Sequence, residues 1–343
     1  MNNWLITGGA GFIGQHLTEK LLSSNKKSNI VIVDNLSNYD NTYPEDSSSS
    51  SRRKLNIDKD SLKFFKEDVR DKETLAKIIK EQNIDVCVHL AARVSIPDSI
   101  KDPDGTIDTN VRGTGCLLEA CSANRVKTFI FASSAAVYGR IQALPVSEKH
   151  VTEPLSVYGA SKVAGEALVS AYGNTKKIKN AISLRIFNVY GRNQTSRYAG
   201  VVTRFASRLS KGMPPIIYGD GKQTRDFISI DDVVNSIIAA SKLSERGEDK
   251  RKKEKVLEYY NRFSSNSTCH NTFNIGSGVP TAIYSLAVTM IKIYGANFQP
   301  LFRNKKSRGE IKYIYSDISK AKHFLGFKPE ENVKRGIKNM LNL

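Results

Sequence analysis

The segment TGGAGFIG, Thr7 to Gly14, limits the possible folds more than any other stretch of the chain. An apolar run, Trp4 to Ile6, precedes it, and a pattern with helical spacing follows it. The segment therefore predicts a strand, a tight turn and a helix. Gly8 lets the chain leave the strand sharply, and Gly14 lets the helix pack closely on it. Gly11 leaves room for a pyrophosphate to approach the N–H groups at the start of the helix.

An acidic residue ends the second apolar run of the chain. The run Ile30 to Val33 is followed by Asp34, roughly twenty residues beyond the glycine turn. A carboxylate at that position can accept hydrogen bonds from both hydroxyls of an adenosine ribose, which favours NAD over its 2′-phosphorylated form. The glycines follow G-x-x-G-x-x-G spacing, not G-x-G-x-x-G, but their context between strand and helix predicts an NAD site.

Strand and helix patterns alternate through the first half of the chain. Apolar runs lie at Ile30–Val33, Leu62–Phe65, Val86–Leu90, Phe129–Ala132 and Ile182–Leu184, and helical patterns at Lys72–Gln82, Asn110–Asn124 and Gly159–Tyr172. Repeated strand–helix units predict an α/β fold: a doubly wound, Rossmann-type parallel sheet with helices on both faces. Such sheets bind ligands at the carboxyl ends of their strands.

The composition argues against several classes of protein. Hydrophobic residues make up 40% of the chain, and no apolar run approaches the roughly 20 residues of a membrane span. The start of the chain lacks a charged n-region, so we do not expect a signal peptide. The cysteines show no C-x-x-C pairing, which favours a reduced, cytoplasmic compartment without disulfides or a metal site. They are Cys87, Cys116, Cys121 and Cys269.

The net charge of +18 is compatible with nucleic-acid binding, with an anionic small substrate or with a basic solvated surface. The basic residues are spread along the chain and form no stripe interleaved with aromatic residues, so we do not expect nucleic acid as the main partner. Two segments interrupt the α/β pattern. We expect a surface loop from Asn38 to Arg53 and a charged, solvated insertion over residues 244–271.

Three polar residues can carry chemistry. Tyr158 and Lys162 are four residues apart, so on a helix they share one face. An ammonium near a phenol lowers the phenol's pKa from about 10 toward neutrality, which would make Tyr158 a usable general base. Ser134 follows the strand pattern that ends at Ser133, and it can orient a substrate hydroxyl. A Tyr-x-x-x-Lys pair also occurs on ordinary solvated helices, but here it accompanies a nucleotide-binding turn.

Other positions allow two interpretations each. Asp68 is placed to bond an adenine amino group, or it caps the helix that starts at Lys72. The small residues in His89–Ala92 suit a backbone pressed against a cofactor, and buried strand packing favours the same residues. Asn110 begins a helical pattern, where an N-cap role is the simplest account.

With these motifs the sequence resembles the extended short-chain dehydrogenase/reductase family, in its NAD-dependent epimerase/dehydratase branch. The resemblance covers nearly the whole chain and rests on Thr7 to Gly14, Asp34-Asn35, Asp68-Val69, His89 to Ala92, Asn110 to Thr114, Ser133 to Gly139, Tyr158 to Lys162, Leu184 to Gly191 and Tyr218 to Phe227. It implies tightly bound NAD and a nucleoside-diphosphate sugar as substrate. It also implies Ser134, Tyr158 and Lys162 as the catalytic set.

The resemblance implies two domains. Residues 1–186 would form the NAD-binding Rossmann domain, with 227–243 and 272–277 returning to it. Residues 187–226 and 278–343 would form a smaller C-terminal α/β substrate-binding domain. The family further implies a homodimer with a four-helix interface built from Asn110–Asn124 and Gly159–Tyr172.

Binding residues are also implied by the resemblance. The cofactor positions would be Gly8, Gly11, Phe12, Ile13, Gly14, Asp34, Asn35, Ser37, Asn38, Asp68, Val69, Leu90, Ala91, Ala92, Asn110, Ser133, Tyr158, Lys162 and Phe187. The substrate positions would be Ser134, Tyr158, Asn188, Val201, Tyr218, Arg225, Arg308 and Glu310. Asn188 and Arg225 match residues that hold the diphosphate, Tyr218 an aromatic near uracil, and Phe187 a residue near the nicotinamide. A structural ion pair with Asp226 or Asp231 is the alternative role of Arg225.

One dipeptide separates reactions within the branch. Dehydratases of this kind carry Asp-Glu before their Val-Tyr-Gly, and decarboxylases carry Glu directly before that Val. Here the two positions are Ala135 and Ala136, which have no proton to give or take. Among the reactions of the branch, oxidation and re-reduction at one carbon is the one that needs neither residue. The sequence therefore resembles UDP-glucose 4-epimerases most closely.

The sequence leaves the sugar open. UDP-glucose, its N-acetylhexosamine analogue and UDP-glucuronate are all compatible, as is another nucleotide-sugar dehydratase or reductase of the same fold. Ile314 lies where the family varies a residue beside the sugar, and its size decides nothing. The usual phosphate arginine is replaced by Ser307, with Arg308 one place late and Lys306 one place early. A NAD-sensing protein without catalysis is the rival from another functional class.

Overall fold

The computed structural model describes residues 2–24, 28–37, 61–194, 200–243, 271–304, 311–330 and 332–341. The chain divides into two compact units. The first comprises Met1–Ser133, Ser156–Leu184 and Ile237–Thr272, and the second Ser134–Leu155, Arg185–Ser236 and Phe273–Leu343. The second unit thus contains several segments that were expected in the NAD-binding domain, namely residues 134–155, 185–186, 227–236 and 273–277. The assignment of a ligand to each domain stays a prediction.

The strands are numbered in chain order. They are β1 (Trp4–Thr7), β2 (Ile30–Val33), β3 (Leu62–Phe65), β4 (Val86–His89), β5 (Thr128–Ser134), β6 (Asn180–Ile186), β7 (Asn188–Tyr190), β8 (Ile216–Tyr218), β9 (Thr224–Ser229), β10 (Thr272–Ile275), β11 (Pro280–Ala282) and β12 (Leu301–Arg303).

The helices are numbered in the same way. They are α1 (Phe12–Ser23), α2 (Lys72–Glu81), α3 (Ile96–Lys101), α4 (Pro103–Ile107), α5 (Gly113–Ala123), α6 (Val157–Asn174), α7 (Val201–Leu209), α8 (Ile230–Ser241), α9 (Ile283–Ile293), α10 (Ser319–Leu325) and α11 (Val333–Leu341). No helix within the described ranges combines the length and the apolar character needed to cross a bilayer.

Seven strands form the main sheet, in the order β10-β6-β5-β4-β1-β2-β3. β1 pairs in parallel with both β2 and β4. The chain order therefore reverses beside β1, and in a doubly wound sheet the crevice for a ligand lies at the carboxyl ends of strands flanking such a reversal. The predicted Rossmann-type fold is confirmed.

The sheet core is built from strands that are buried along their whole length. Every residue of β1, β2 and β4 is buried, as expected of parallel strands covered on both faces. Leu75, Ile78 and Ile79 on α2 contribute to the same core, together with Phe129 and Phe131 on β5.

The glycine turn after β1 has the geometry that its sequence predicts. Gly8 has a φ of +69°, and a Cβ atom there would lie 2.6 Å from the backbone nitrogen of Ala91. A Cβ atom on Gly14 would lie 2.6 Å from the carbonyl oxygen of Gly8. Glycine is thus required both for the sharp exit from β1 and for the close approach of α1.

The helix caps considered for Asn110 and, as one alternative, for Asp68 are wrong. Asn110 does not cap a helix, because it is buried inside a π-helical turn, Asp108–Arg112, that leads into α5. The cap of α8 is the hydroxyl of Ser229, which accepts a hydrogen bond from the backbone N–H of Asp232 at 3.1 Å. The cap of α2 is Asp71, which accepts from the N–H of Thr74 at 3.0 Å.

The second unit contains two small sheets. One has the order β11-β9-β7 and the other pairs β12 with β8. A separate apolar core, which includes Phe205, Phe227, Leu286 and Met290, packs α7, α9 and β9 together. The expected smaller α/β portion toward the C-terminus is therefore present.

Replacing Gly8 with alanine tests the requirement at the turn. Gly8→Ala places a Cβ atom in a left-handed conformation and against the backbone of Ala91, so we expect it to lower the free energy of unfolding by about 2 kcal/mol or more. Urea denaturation monitored by circular dichroism measures the change. Gly115→Ala on α5 is the matched control, because no heavy atom lies within 4 Å of the added Cβ. Equal stability of the two variants would contradict the role of Gly8.

Candidate active site

The start of α1 can hold an anionic group. Gly11 precedes the helix with extended backbone and provides no side-chain cap, so the N–H groups of the first turn, which begins at Phe12 and Ile13, remain for a ligand. The turn itself is closed by the N–H of Gly11, which donates to the carbonyl of Gly8 at 3.0 Å. An uncapped helix start at the carboxyl end of β1 fits a dinucleotide pyrophosphate.

Asp34 links β2 to the glycine turn. Its carboxylate accepts hydrogen bonds from the backbone N–H groups of Ala10 at 3.1 Å and Leu36 at 2.9 Å. Burial raises the pKa of Asp34, and the two backbone hydrogen bonds oppose that rise. Each carboxylate oxygen has a further lone pair for a ribose hydroxyl, which fits the predicted contact with NAD.

Asp68 lies in a network of charged groups beyond β3. It accepts hydrogen bonds from Asn35 at 2.9 Å and from Nε and Nη2 of Arg70 at 2.8 and 2.7 Å. Arg70 also pairs with Asp108 at 2.6 Å. The Arg70 hydrogen bonds hold the pKa of Asp68 well below its usual range, so the group is an ionised acceptor. Because Asp71 caps α2, the capping alternative for Asp68 is wrong, and its adenine contact stays a prediction.

The remaining cofactor positions near these strands have structural contacts of their own. The N–H of Ser37 donates to Oδ1 of Asn35 at 3.1 Å. Val69 is buried, and a Cβ on Gly113 would lie 2.8 Å from its side chain. The backbone of Leu90 and Ala91 lies close to Gly8, and Ala92, which is half-buried, follows in the segment after β4. Asn38 lies outside the described residues.

Asn110 ties the segment after β4 to α6. Its Nδ2 donates to the carbonyl of Arg93 at 3.0 Å and to Oγ of Ser161 at 2.9 Å, while its Oδ1 accepts from the N–H of Arg93 at 2.8 Å. The backbone N–H of Tyr158 donates to Oγ of Ser99 at 3.2 Å. Asn110 in the π-helical turn and Ser99 on α3 therefore fix the first turns of α6, and with them the positions of Tyr158 and Lys162.

His89 is a buried residue whose importance the sequence analysis missed. Its Nδ1 lies 2.7 Å from Oγ1 of Thr7, and its Nε2 lies 3.0 Å from Oγ1 of Thr114. Thr114 donates its hydroxyl proton to the carbonyl of Asn110 at 2.6 Å. It therefore accepts from Nε2–H, which leaves Nδ1 to accept from Thr7. Burial, aided by the charge of Lys162, lowers the pKa of His89 to about 3, so the ring is neutral.

Tyr158 and Lys162 share a face of α6, as their spacing predicts. Nζ of Lys162 lies 5.9 Å from the centroid of the Tyr158 ring. Only 3% of Lys162 is exposed, and Nζ donates a hydrogen bond to the carbonyl of Ala132 on β5 at 2.8 Å. Gly165 makes this approach possible, since a Cβ there would lie 2.4 Å from the Phe131 ring.

The electrostatics of this pair suit acid–base chemistry. Burial lowers the pKa of Lys162 to about 7, and the charge of Glu166 acts in the opposite direction. While Lys162 is charged, its ammonium favours the phenolate form of Tyr158. Tyr158 is half-buried, so its ring keeps access to a ligand. The arrangement can provide a base for a hydroxyl proton near neutral pH.

Ser134 belongs to the second unit and is the last residue of β5. Its Oγ accepts from the N–H of Ala136 at 3.2 Å, at the start of a short 3₁₀ turn, Ala135–Val137. The strand continues one residue beyond the end predicted from the sequence. Ser133 is buried in the first unit, where its hydroxyl donates to Glu166.

The other substrate positions lie in the second unit. Nη1 of Arg225 donates to the carbonyls of Thr224 at 2.8 Å and Lys312 at 3.4 Å. Asn188 is exposed, and its Nδ2 donates to the carbonyl of Asp226 at 3.0 Å. Tyr218 is also exposed, at the end of β8. Their ligand contacts stay predictions.

Four further predicted positions complete the set. Phe187 is buried with its ring centroid 6.3 Å from that of Tyr138. Val201 is half-buried and begins α7. Arg308 and Glu310 lie outside the described residues, as do Lys306 and Ser307.

Asp226 is a second residue that sequence reasoning underrated. Its side chain is fully buried, and Oδ1 accepts from the N–H and the hydroxyl of Ser277 at 2.7 and 2.6 Å. Oδ2 accepts from the N–H groups of Gly278 at 3.1 Å and Ser316 at 3.0 Å, and from the hydroxyl of Ser316. This carboxylate joins β9 to two distant segments beside Arg225.

Comparison with known proteins gives consistent matches over the whole chain. The family profile described as GDP-mannose 4,6 dehydratase matches residues 5–340. A putative UDP-glucose 4-epimerase of Methanocaldococcus jannaschii is 35% identical over 342 residues, which cover 98% of this chain and 97% of that protein.

Solved structures agree with the sequence matches. UDP-glucose 4-epimerase of Thermotoga maritima with UDP-glucose has a TM-score of 0.81 at 28% identity, covering 99% of this chain and 97% of that one. UDP-glucuronic acid 4-epimerase of Bacillus cereus, in complex with UDP-glucuronic acid and NAD, has a TM-score of 0.79 at 30% identity, covering 99% and 98%.

The Asp226 network leads to a stability prediction. Asp226→Ala leaves the buried donors of Ser316 and the half-buried donors of Ser277 and Gly278 without this acceptor, so we expect the free energy of unfolding to fall by about 3 kcal/mol or more. Denaturant unfolding provides the measurement. The control is Asp220→Ala, which removes an exposed carboxylate that accepts from the N–H of Lys222, and which should cost less than about 1 kcal/mol. If Asp226→Ala lowered the free energy of unfolding by less than about 1 kcal/mol, the structural role of Asp226 would be contradicted.

Proposed function

The chain belongs to the GDP-mannose 4,6-dehydratase family of extended short-chain dehydrogenase/reductases, and we propose that it inverts carbon 4 of a UDP-sugar with NAD as a permanently bound cofactor. The observation that carries this proposal is the buried ammonium of Lys162 beside Tyr158 on α6. A base of this kind serves the removal of a hydroxyl proton, which accompanies oxidation of the carbon that bears it.

The residues present fit NAD. The uncapped start of α1 suits the pyrophosphate, and Asp34 at the end of β2 suits the adenosine ribose. Asp68, held ionised by Arg70, would accept from the adenine amino group. When bound, NAD supplies reversible hydride acceptance, which the chain's own side chains cannot provide.

The protein residues then have separate tasks. Tyr158, as phenolate, takes the proton of the sugar 4-hydroxyl and later returns a proton to the same oxygen. Lys162 stabilises the phenolate by its charge. Ser134 orients the sugar hydroxyl through its own hydroxyl group. Arg225 and Asn188 hold the diphosphate, so that the flat 4-keto sugar can turn and be reduced from its other face.

The reaction is expected to end as epimerisation because the two positions that supply the acid and the base for elimination in related dehydratases hold alanine. The positions at which related dehydratases carry Asp and Glu hold Ala135 and Ala136, and both belong to the turn that follows Ser134. Alanine cannot protonate a leaving hydroxyl or remove a proton from a neighbouring carbon. The family's dehydratase name therefore does not carry over to the reaction of this chain.

The sugar that the proposal favours is UDP-glucose or UDP-galactose. The similarity to the M. jannaschii and T. maritima proteins supports that choice. The B. cereus protein, similar to the same extent, binds UDP-glucuronic acid, so UDP-glucuronate is the main alternative. UDP-N-acetylhexosamine is a further one. We also propose a homodimer formed through α5 and α6, a reduced cytoplasmic location and no nucleic-acid partner.

Tyr158→Phe tests the assignment of the base. Removing the phenol oxygen should lower kcat by a factor of about 100 or more while the purified protein keeps its NAD. Turnover is measured by NMR of the sugar, and NAD by absorbance after acid release. Tyr172→Phe on the same helix is the matched control and should keep normal turnover. Full activity of Tyr158→Phe would end the proposal.

A panel of UDP-sugars tests the reaction and the substrate together. The protein is incubated with UDP-glucose, UDP-N-acetylglucosamine and UDP-glucuronate without added cofactor, and NMR identifies the products. We expect interconversion at carbon 4, fastest for UDP-glucose, without net formation of NADH. A 6-deoxy-4-keto product, or a strict need for added NAD(H), would favour a dehydratase or a reductase.

A further inference from the structure

Glu166 is an acidic residue one helical turn beyond Lys162 that the reaction scheme above leaves without a role. Both lie on α6, four residues apart, so their side chains point to the same side of the helix. The carboxylate of Glu166 is fixed on β5, because Oε1 accepts a hydrogen bond from the buried hydroxyl of Ser133. Glu166 itself is half-buried.

The ammonium of Lys162 needs a nearby negative charge to keep its proton. Only 3% of the residue is exposed to water, and its Nζ donates a hydrogen bond to the uncharged carbonyl of Ala132. The ring of Phe131, 4.8 Å from Nζ, adds a weak attraction for the cation. A buried ammonium without a nearby negative charge loses its proton readily.

We propose that Glu166 is a positioning residue for catalysis: its carboxylate, anchored by the Ser133 hydroxyl, keeps the buried amine of Lys162 protonated and held at the end of β5. This inference rests on the proposed role of Tyr158 as base and deepens it. Lys162 acts on Tyr158 only while it is charged, so Glu166 governs the phenolate through Lys162. Burial and Glu166 indeed act in opposite directions on the pKa of Lys162.

The other titratable groups that face Lys162 do not supply this charge. On its own helix, the phenolate of Tyr158 exists only when the ammonium is already present. From β4, His89 faces Lys162 as a neutral ring, since its pKa is about 3. From β5, the contacts come from Ala132 and Phe131, which do not titrate. Among the described groups, Glu166 is the carboxylate that acts on Lys162.

The expected consequence is a change in pH dependence. In Glu166→Gln, the Lys162 ammonium should lose its proton at a pH lower by about one unit or more, as expected for loss of a nearby charge in a partly buried site. Lys162 then becomes neutral before Tyr158 ionises. The alkaline limb of the kcat profile should move to lower pH by a similar amount, with a smaller change in KM.

Two measurements on the NAD-loaded protein test this. The first is a ¹³C NMR titration of protein labelled at lysine Cε, in which the Lys162 signal is the one missing from Lys162→Met. The second is kcat against pH for the UDP-sugar that the wild type converts. The NMR titration does not depend on turnover, so it decides the inference even if no UDP-sugar proves to be a substrate and the proposed function fails.

Two variants separate charge from packing. Glu166→Asp keeps the charge and should return the Lys162 titration most of the way to the wild-type value. Glu119→Gln, an exposed carboxylate on α5 paired with Lys72, should leave it unchanged. An unshifted Lys162 titration in Glu166→Gln would overturn the inference. An equal shift in Glu166→Gln and Glu166→Asp would overturn it too, because packing alone would then be the cause.

Discussion

The amine of Lys162 is buried against β5, and the chemistry proposed for this protein depends on that contact. The backbone of the strand accepts one N–H, and the flat ring of Phe131 covers one side of the group. This proximity requires Gly165, because any side chain there would meet the Phe131 ring. The close packing of Gly165 against Phe131 thus determines where the charge of Lys162 lies.

Buried polar groups hold the first unit together around that contact. The neutral ring of His89 connects Thr7 at the end of β1 with Thr114 on α5. Asn110 connects the segment after β4 with α6 through Arg93 and Ser161. Both ring nitrogens of His89 and both polar atoms of the Asn110 side chain have hydrogen-bond partners, which limits the cost of removing them from water. Hydrogen bonds therefore connect the carboxyl ends of β1 and β4 with the helix that carries Tyr158.

Much of this fold follows from local sequence. The bounds of β2 and β3 match their predicted runs, Ile30–Val33 and Leu62–Phe65. β2 is apolar and buried throughout, as expected of an inner parallel strand, whereas β3 at the edge of the sheet exposes Lys63. The shared face of Tyr158 and Lys162 follows from helical spacing alone. The cap of α8 had a signal as well: Ser229 and Asp232 have the S-x-x-D spacing typical of a helix start.

Long-range contacts could not be predicted in this way. Asp226 finds its partners 51 to 90 residues away, and nothing in the neighbouring sequence indicates them. The hydroxyl of Ser133 reaches Glu166 across 33 residues, so the role of that carboxylate appears only once α6 is packed on β5. The π-helical turn at Asn110 also lacks a local signal, because its sequence is compatible with a regular helix.

The proposed reaction requires that the phenol of Tyr158 is ionised near neutral pH. An ultraviolet titration of the NAD-loaded protein, with the same titration of Tyr158→Phe subtracted, measures this ionisation directly. We expect a phenolate absorbance that develops well below pH 10. The reason is that the Lys162 ammonium lowers the pKa of Tyr158 from the ordinary tyrosine value of about 10. A difference signal that appears only at about pH 10 or above would contradict the account.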